Sequence, residues 1–194
     1  MFLIPYSSFY LSGSDAQKTK GELKGGLDVK YGINDAFTLD AILVPDFGQT
    51  KFDNVVLNLG PFEQQFNENR PFFTEGTDLF SKGNLLYSRR IGQTPDLNLN
   101  IAANESVAYP GAVNLLNAMK ISGRDKDGLG IGFLNAITEK TMATVSNDDN
   151  DNTRQIEVSP LTNYNVMVFD QRFNQNSSVT FINTNVTRNG SFRD

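Results

Sequence analysis

Between residues 45 and 115 the chain gathers Asp46, Glu63, Glu68, Glu75 and Asp78 with Arg70, Arg89 and Arg90. These are the side chains whose types could do chemistry. Two carboxylates flanking a glycosidic bond hydrolyse it by acid-base work, so a surface hydrolase is one reading. The other is a polar network in which arginine forks pair carboxylates and tie a loop to a polar interior wall. Arginine neighbours lower a carboxyl pKa, whereas a general acid needs one raised. The network is therefore preferred, no catalytic residue is assigned, and a ligand-binding role for the same eight residues stays open beside the structural one.

The rest of the composition narrows the chemistry further. There is no cysteine and no histidine, which removes disulfides, thiolate nucleophiles, most zinc sites and imidazole acid-base catalysis. No metal or cofactor is expected. The acidic run Asn147-Asp148-Asp149-Asn150-Asp151-Asn152 lacks the Gly and Glu that a calcium-binding EF-hand loop requires, and reads as a solvated loop tip. Gly128, Gly130 and Gly132 imitate a phosphate-binding loop, but they sit inside an alternating segment with no helix after it. Phe62, Phe66, Phe72, Phe73 and Phe80 cluster in the 45–115 region. They suit packing of that region against itself better than sugar stacking, since Phe lacks the polar handle of Tyr and Trp. A net charge of -5 gives no basic stripe for a phosphate backbone, so nucleic acid is not a partner.

These side chains must be positioned by strands. Mean hydropathy is -0.35, and nothing reads as a membrane helix, which needs roughly 20 apolar residues in a row. Seven segments instead alternate or are rich in strand formers: 2–12, 23–33, 37–44, 116–123, 128–140, 162–173 and 178–188. Each approaches the roughly 9–11 residues with which a tilted strand crosses a bilayer. Leu27, Val29 and Tyr31 point one way while Asp28, Lys30 and Gly32 point the other, a two-residue period. In 128–140, Leu129, Ile131 and Phe133 share one face and the three glycines the other. Glycines facing an interior fit a wall that a plug or loop approaches closely.

Short connections rich in turn residues, at 34–35, 125–128 and 174–177, alternate with longer ones at 13–22, 45–115 and 141–161. Up-and-down strands then place all short turns on one rim and all long loops on the other, as in outer-membrane barrels. Within the long insertion, Gly60-Pro61-Phe62-Glu63-Gln64-Gln65-Phe66 predicts a short helix, ended at Arg70-Pro71 because the residue before proline avoids the helical region. The amino-terminal stretch Met1-Phe2-Leu3-Ile4-Pro5-Tyr6 lacks the basic start of an export signal, and the chain reads as a piece cut from a larger protein. The expected architecture is all-β, a fragment of an antiparallel up-and-down transmembrane β-barrel over residues 1–194, with the 45–115 insertion in or over the lumen.

The insertion also carries a family signature. Pro45-Asp46-Phe47-Gly48-Gln49, Asn58-Leu59, Phe62-Glu63, Glu68-Asn69-Arg70-Pro71-Phe72-Phe73-Thr74-Glu75-Gly76 and Tyr87-Ser88-Arg89-Arg90-Ile91-Gly92 resemble an outer-membrane β-barrel family of unknown function, common in Bacteroidota. In that family the barrel follows a carbohydrate-binding-like domain of the family-nine type. Gly26-Leu27-Asp28-Val29-Lys30-Tyr31-Gly32 and Lys120-Ile121-Ser122-Gly123-Arg124 are similar to its strands. Val44 departs from it, standing where the family usually has Asn, and so does Phe66-Asn67. The resemblance implies a bacterial outer-membrane location, with the lipid bilayer and the rest of the barrel as partners. It also implies binding or import of an extracellular ligand, glycan-derived by analogy with the companion domain. The alternatives are the hydrolase and a barrel that only anchors an upstream carbohydrate-binding domain.

Overall fold

A computed structural model describes residues 1–14, 17–46, 65–95, 99–147, 152–174 and 176–190. Its strands are β1 (Phe2–Ser14), β2 (Gln17–Gly32), β3 (Phe37–Leu43), β4 (Glu105–Ala108), β5 (Leu115–Arg124), β6 (Leu129–Thr138), β7 (Thr141–Asn147), β8 (Thr153–Ser159), β9 (Thr162–Asn174) and β10 (Ser177–Arg188). The described part of the insertion contributes one short helix, α1 (Pro71–Thr74), single 3-10 turns at Lys82–Asn84 and Ser88–Arg90, and β4. The protein is all-β and its sheets are antiparallel. The larger sheet runs β1-β2-β3-β5-β6-β9-β10, the seven predicted segments in chain order. It is open: β1 and β10 are its edges, and the described residues close no barrel.

The connections differ from expectation in an instructive way. Two of the long ones are not loops. The 13–22 connection is absorbed into β1 and β2, which pair as far as Ser14 with Gln17. The 141–161 connection folds into β7 and β8, which with β4 make a second, three-stranded sheet. Backbone ladders extend wherever the chain can pair with itself, and they need no apolar residue to do so, so hydropathy stopped short of them. Tight turns remain at the β2–β3, β5–β6 and β9–β10 ends. Asn34 shapes the first by accepting from the backbone N–H groups of Ala36 and Phe37, and Asp125 shapes the second by accepting from that of Leu129.

Residues 70–91 of the insertion lie on one face of the large sheet and build the core together with it. Phe72, Phe73, Leu79, Phe80 and Ile91 pack against Ile42, Ala118, Leu134, Ala136, Val166 and Val168 of the strands. The glycines make this possible. A Cβ added to Gly132 would stand 3.1 Å from the Phe80 ring, and one on Gly130 2.8 Å from a Leu79 methyl, closer than side chains pack. Gly130 and Gly132 are buried, while Leu129, Ile131 and Phe133 between and beyond them remain partly exposed on the opposite face. Most of the expected 60–66 helix lies outside the described residues. Arg70-Pro71 does not end a helix but begins α1, with Pro in its first turn, where a missing N–H is no loss.

At the root of the insertion Val44 adopts φ 47°, in the left-handed region that Asn enters readily and a β-branched residue resists. Val44→Asn is therefore expected to stabilise the protein by about 1 kcal/mol, and Gly132→Val to destabilise it by about 1–3 kcal/mol through overpacking against Phe80. Chemical denaturation of both variants checks the two signs.

Candidate functional site

The sequence marked eight insertion residues, and the fold separates them. Glu68 and Arg70 stand together. The Arg70 guanidinium donates Nε to Glu68 Oε1 at 2.8 Å and Nη2 to Oε2 at 2.7 Å, a bidentate fork. It also donates to the carbonyls of Ile91 at 2.6 Å and Ser88 at 2.7 Å, and lies 4.3 Å from the centre of the Phe73 ring. Glu68 further accepts from its neighbours' backbone N–H groups, at Asn69 and Arg70, and from Ser88 Oγ at 2.7 Å. Burial pushes the Glu68 carboxyl up, but hydrogen bonds from Arg70 and Ser88 outweigh it and hold it below the usual range. A carboxylate so fully occupied is built to stay ionised and to staple residues 68–91 into one unit. It is poorly disposed to donate a proton.

The others lie elsewhere. Asp46 leaves the insertion toward the first strand, where Ser8 and Tyr10 donate to its carboxylate and its own N–H donates to Tyr6. Glu75 pairs with Lys30 of β2 at 2.6 Å, which lowers its pKa. Asp78 is exposed. Arg90 lies over the Tyr87 ring at 5.9 Å, and Arg89 is half-buried one residue before it. Glu63 falls outside the described residues.

The contacts that fix the insertion to the wall come mostly from residues that the sequence did not single out. Asp170 of β9 has 0% exposure. It accepts from Lys82 of the insertion at 2.5 Å, from Thr180 of β10 at 2.5 Å, and from Arg124 of β5. Arg124 in turn donates to the Gly128 carbonyl in the β5–β6 turn. Lys120 of β5 has 1% exposure; its ammonium donates to the carbonyls of Phe72 at 2.7 Å and Glu75 at 2.5 Å, around the end of α1, and stands 3.6 Å from Asp40. A signal for both was present. Lys120 follows Ala118, and Asp170 follows Val166 and Val168, on the parity that faces the glycines, where a charge must find a partner. Among the described residues no cluster of carboxylates could hold a metal ion.

The charged and apolar contacts together seat residues 70–91 of the insertion on the large sheet. Residues 1–194 match the family described as a domain of unknown function, DUF5916. The chain belongs to that family. No curated protein and no solved structure matches it.

Removing Arg70 leaves the largely desolvated Glu68 carboxylate without its counter-ion and the Ser88 and Ile91 carbonyls without their donor. Arg70→Met is expected to cost about 3–5 kcal/mol. Because the Glu68 pKa is lowered on folding, its contribution is complete above the unfolded value of about 4.3 and is lost as the pH falls through the folded one. Acid unfolding of Glu68→Gln should accordingly be less steep below pH ~4 than that of the parent. An equally steep acid limb would remove this pair from the account.

Proposed function

We propose that this chain forms part of the wall of a bacterial outer-membrane β-barrel, with the insertion as a plug on its inner face, and that the protein binds or imports an extracellular ligand. The observation that carries the reading is the uncovered face of the large sheet. Among its most exposed side chains are Leu3, Phe9 and Leu11 of β1, Leu23 of β2, Leu43 of β3, Phe169 of β9, and Val179 and Phe181 of β10. An apolar surface of this extent facing water is a liability for a soluble protein and an asset against lipid.

The apolar surface also has the slant of a membrane belt. In the register of the sheet, the row Leu3, Val29, Ala41 and Met119 continues as Asn135, Asn165 and Asn185. Further toward the tight-turn rim, the row Phe37, Gly123, Ile131, Phe169 and Phe181 is apolar to its far end. The belt thus moves along the strands as it crosses them, by roughly one and a half residues per strand, which at about 3.3 Å per residue and 4.8 Å between strands is a lean of about 45°. Strands of outer-membrane barrels lean by roughly 35–45°. Among the described residues no helix is long and apolar enough to cross a membrane, and crossing by strands does not need one.

The two bare edges, β1 and β10, suit continuation into further strands of the same barrel. A glycan-derived ligand is the choice that the companion domain of the resembling family favours, by analogy alone. The hydrolase reading draws no support from Glu68, whose carboxylate is taken up by Arg70 and Ser88.

A belt facing lipid predicts a depth-dependent penalty for charge. Ile131→Arg is expected to cost about 2–4 kcal/mol and Asn185→Arg about 0–1 kcal/mol in unfolding from phospholipid vesicles. Recovery of the intact protein in a detergent-extracted outer-membrane fraction is the accompanying outcome. Recovery in the soluble fraction, with the two substitutions equal in effect, would remove the membrane reading.

A further inference from the structure

The uncovered face of the large sheet is not alike from strand to strand. Its positions on β3, β5, β6, β9 and β10 carry no Asp, Glu, Lys or Arg, yet one sector is polar. Asn135 of β6, Asn163 and Asn165 of β9, and Asn183, Asn185 and Thr187 of β10 are neighbours in the register. Asn135 donates Nδ2 to Asn163 Oδ1 at 2.6 Å and to Asn165 Oδ1 at 2.8 Å, and Thr187 donates to Asn185 Oδ1 at 3.1 Å. Asn183 and Asn185 are exposed. Exposed apolar side chains border the sector, Met167 and Phe181 toward the tight turns and Leu161 toward the other rim.

Depth sets this sector apart. Asn135, Asn165 and Asn185 share the register row of Leu3. With the lean of roughly one and a half residues per strand, Asn135 comes about six residues nearer the long-loop rim than Leu3, level with Phe9. By the same lean Asn165 and Asn183 come about seven residues nearer, between the levels of Phe9 and Leu11. At that depth β1 and β2 present Phe9, Leu11 and Leu23, which are 64%, 70% and 75% exposed. One side of the wall is therefore apolar and the other amide at a single depth. Hydrocarbon offers an amide no hydrogen-bond partner, so polar residues at membrane depth face protein or a water-filled cavity. These face away from the insertion, which leaves protein outside this wall as their partner.

We infer that this sector is the contact between two copies of the barrel lying side by side in the membrane. The inference rests on the outer-membrane reading above. A primary amide both donates and accepts hydrogen bonds, so a patch of amides complements itself. A two-fold axis along the membrane normal sets each patch against its own copy at the same depth. A different membrane protein would need amides of its own at this one depth, whereas a second copy has them already. The lack of charge on these strands spares like copies the repulsion they would otherwise meet, and Met167, Phe181 and Leu161 close round the amides and keep them from lipid.

The test uses the intact protein in lipid vesicles, in a background without other cysteines; this chain has none. Asn183→Cys and Asn185→Cys are each expected to give a covalent dimer with a short bifunctional thiol reagent, and Leu11→Cys, at a similar depth on β1, only monomer. Photobleaching of fluorescently labelled protein at low density should count two copies per spot. In the double variant Asn165→Leu with Asn185→Leu the two-copy fraction is expected to fall severalfold, whereas Asn185→Gln, which keeps an amide, should retain it. Protease resistance of the inserted protein reports folding separately, and should the double variant not fold, the cysteine pattern decides. Each of the following would overturn the inference: one copy per spot in the parent, crosslinking at 11 but not at 183 or 185, pairing unchanged in the folded leucine variant, or a thiol at 185 that captures only a different protein or is shielded by a tightly held glycolipid. Protein that never enters a bilayer would instead overturn the outer-membrane reading itself.

Discussion

Leu79 and Phe80 meet the sheet at Gly130 and Gly132, nearer than any side chain on those positions would allow, and much else in the molecule follows from that contact. A sheet one layer thick cannot bury either of its faces by itself. By leaving two positions of β6 without side chains, the chain lets a segment that starts at the other rim lie flat against the wall and complete a core with Val166, Val168, Leu134 and Ala118. The opposite face keeps its leucines and phenylalanines, which among the described residues are left exposed. One contact therefore decides which face is covered.

The ionic contacts are arranged around that apolar seat. Asp170 joins two strands, a turn and the insertion through Thr180, Arg124 and Lys82. Lys120 reaches from the wall to the carbonyls at the end of α1. Glu68 and Arg70 act within the insertion and shape the piece that is to be seated. Buried pairs of this kind add little net stability over a well-packed apolar substitute, but each is costly to break. They fix where the insertion sits more than how strongly the chain folds. Of the insertion's carboxylates, Asp46, Glu68 and Glu75 are each taken up by contacts of this kind.

Strand positions were legible because alternation is written in residue types. Leu27, Val29 and Tyr31 against Asp28 and Lys30 announce β2 without reference to anything else. The glycine alternation of 128–132 announced both the strand and a close neighbour on that side. The extensions were not legible: β7 buries only Ala143 and Val145 among polar residues, and β8 and the outer part of the β1–β2 hairpin pair through the backbone, which leaves little trace in hydropathy. Nor was the grouping of charges. Asp46, Glu68 and Glu75 look like neighbours along the chain, yet they face β1, Arg70 and β2 respectively, because a loop that folds back on a wall sorts its side chains by where each one lands.

By itself the sequence determined that this is a chain of alternating strands with tight turns on one rim, a long insertion rich in phenylalanine and charge, and no histidine or cysteine chemistry. Those properties are local, set by residue type and a period of two. Only the tertiary structure decided which face the insertion covers, that Lys82 finds Asp170 across 88 residues of chain, and that the sheet of this chain stays open at β1 and β10. Such pairings join residues far apart in the chain through register and packing, and no local pattern encodes which distant partner a side chain will meet.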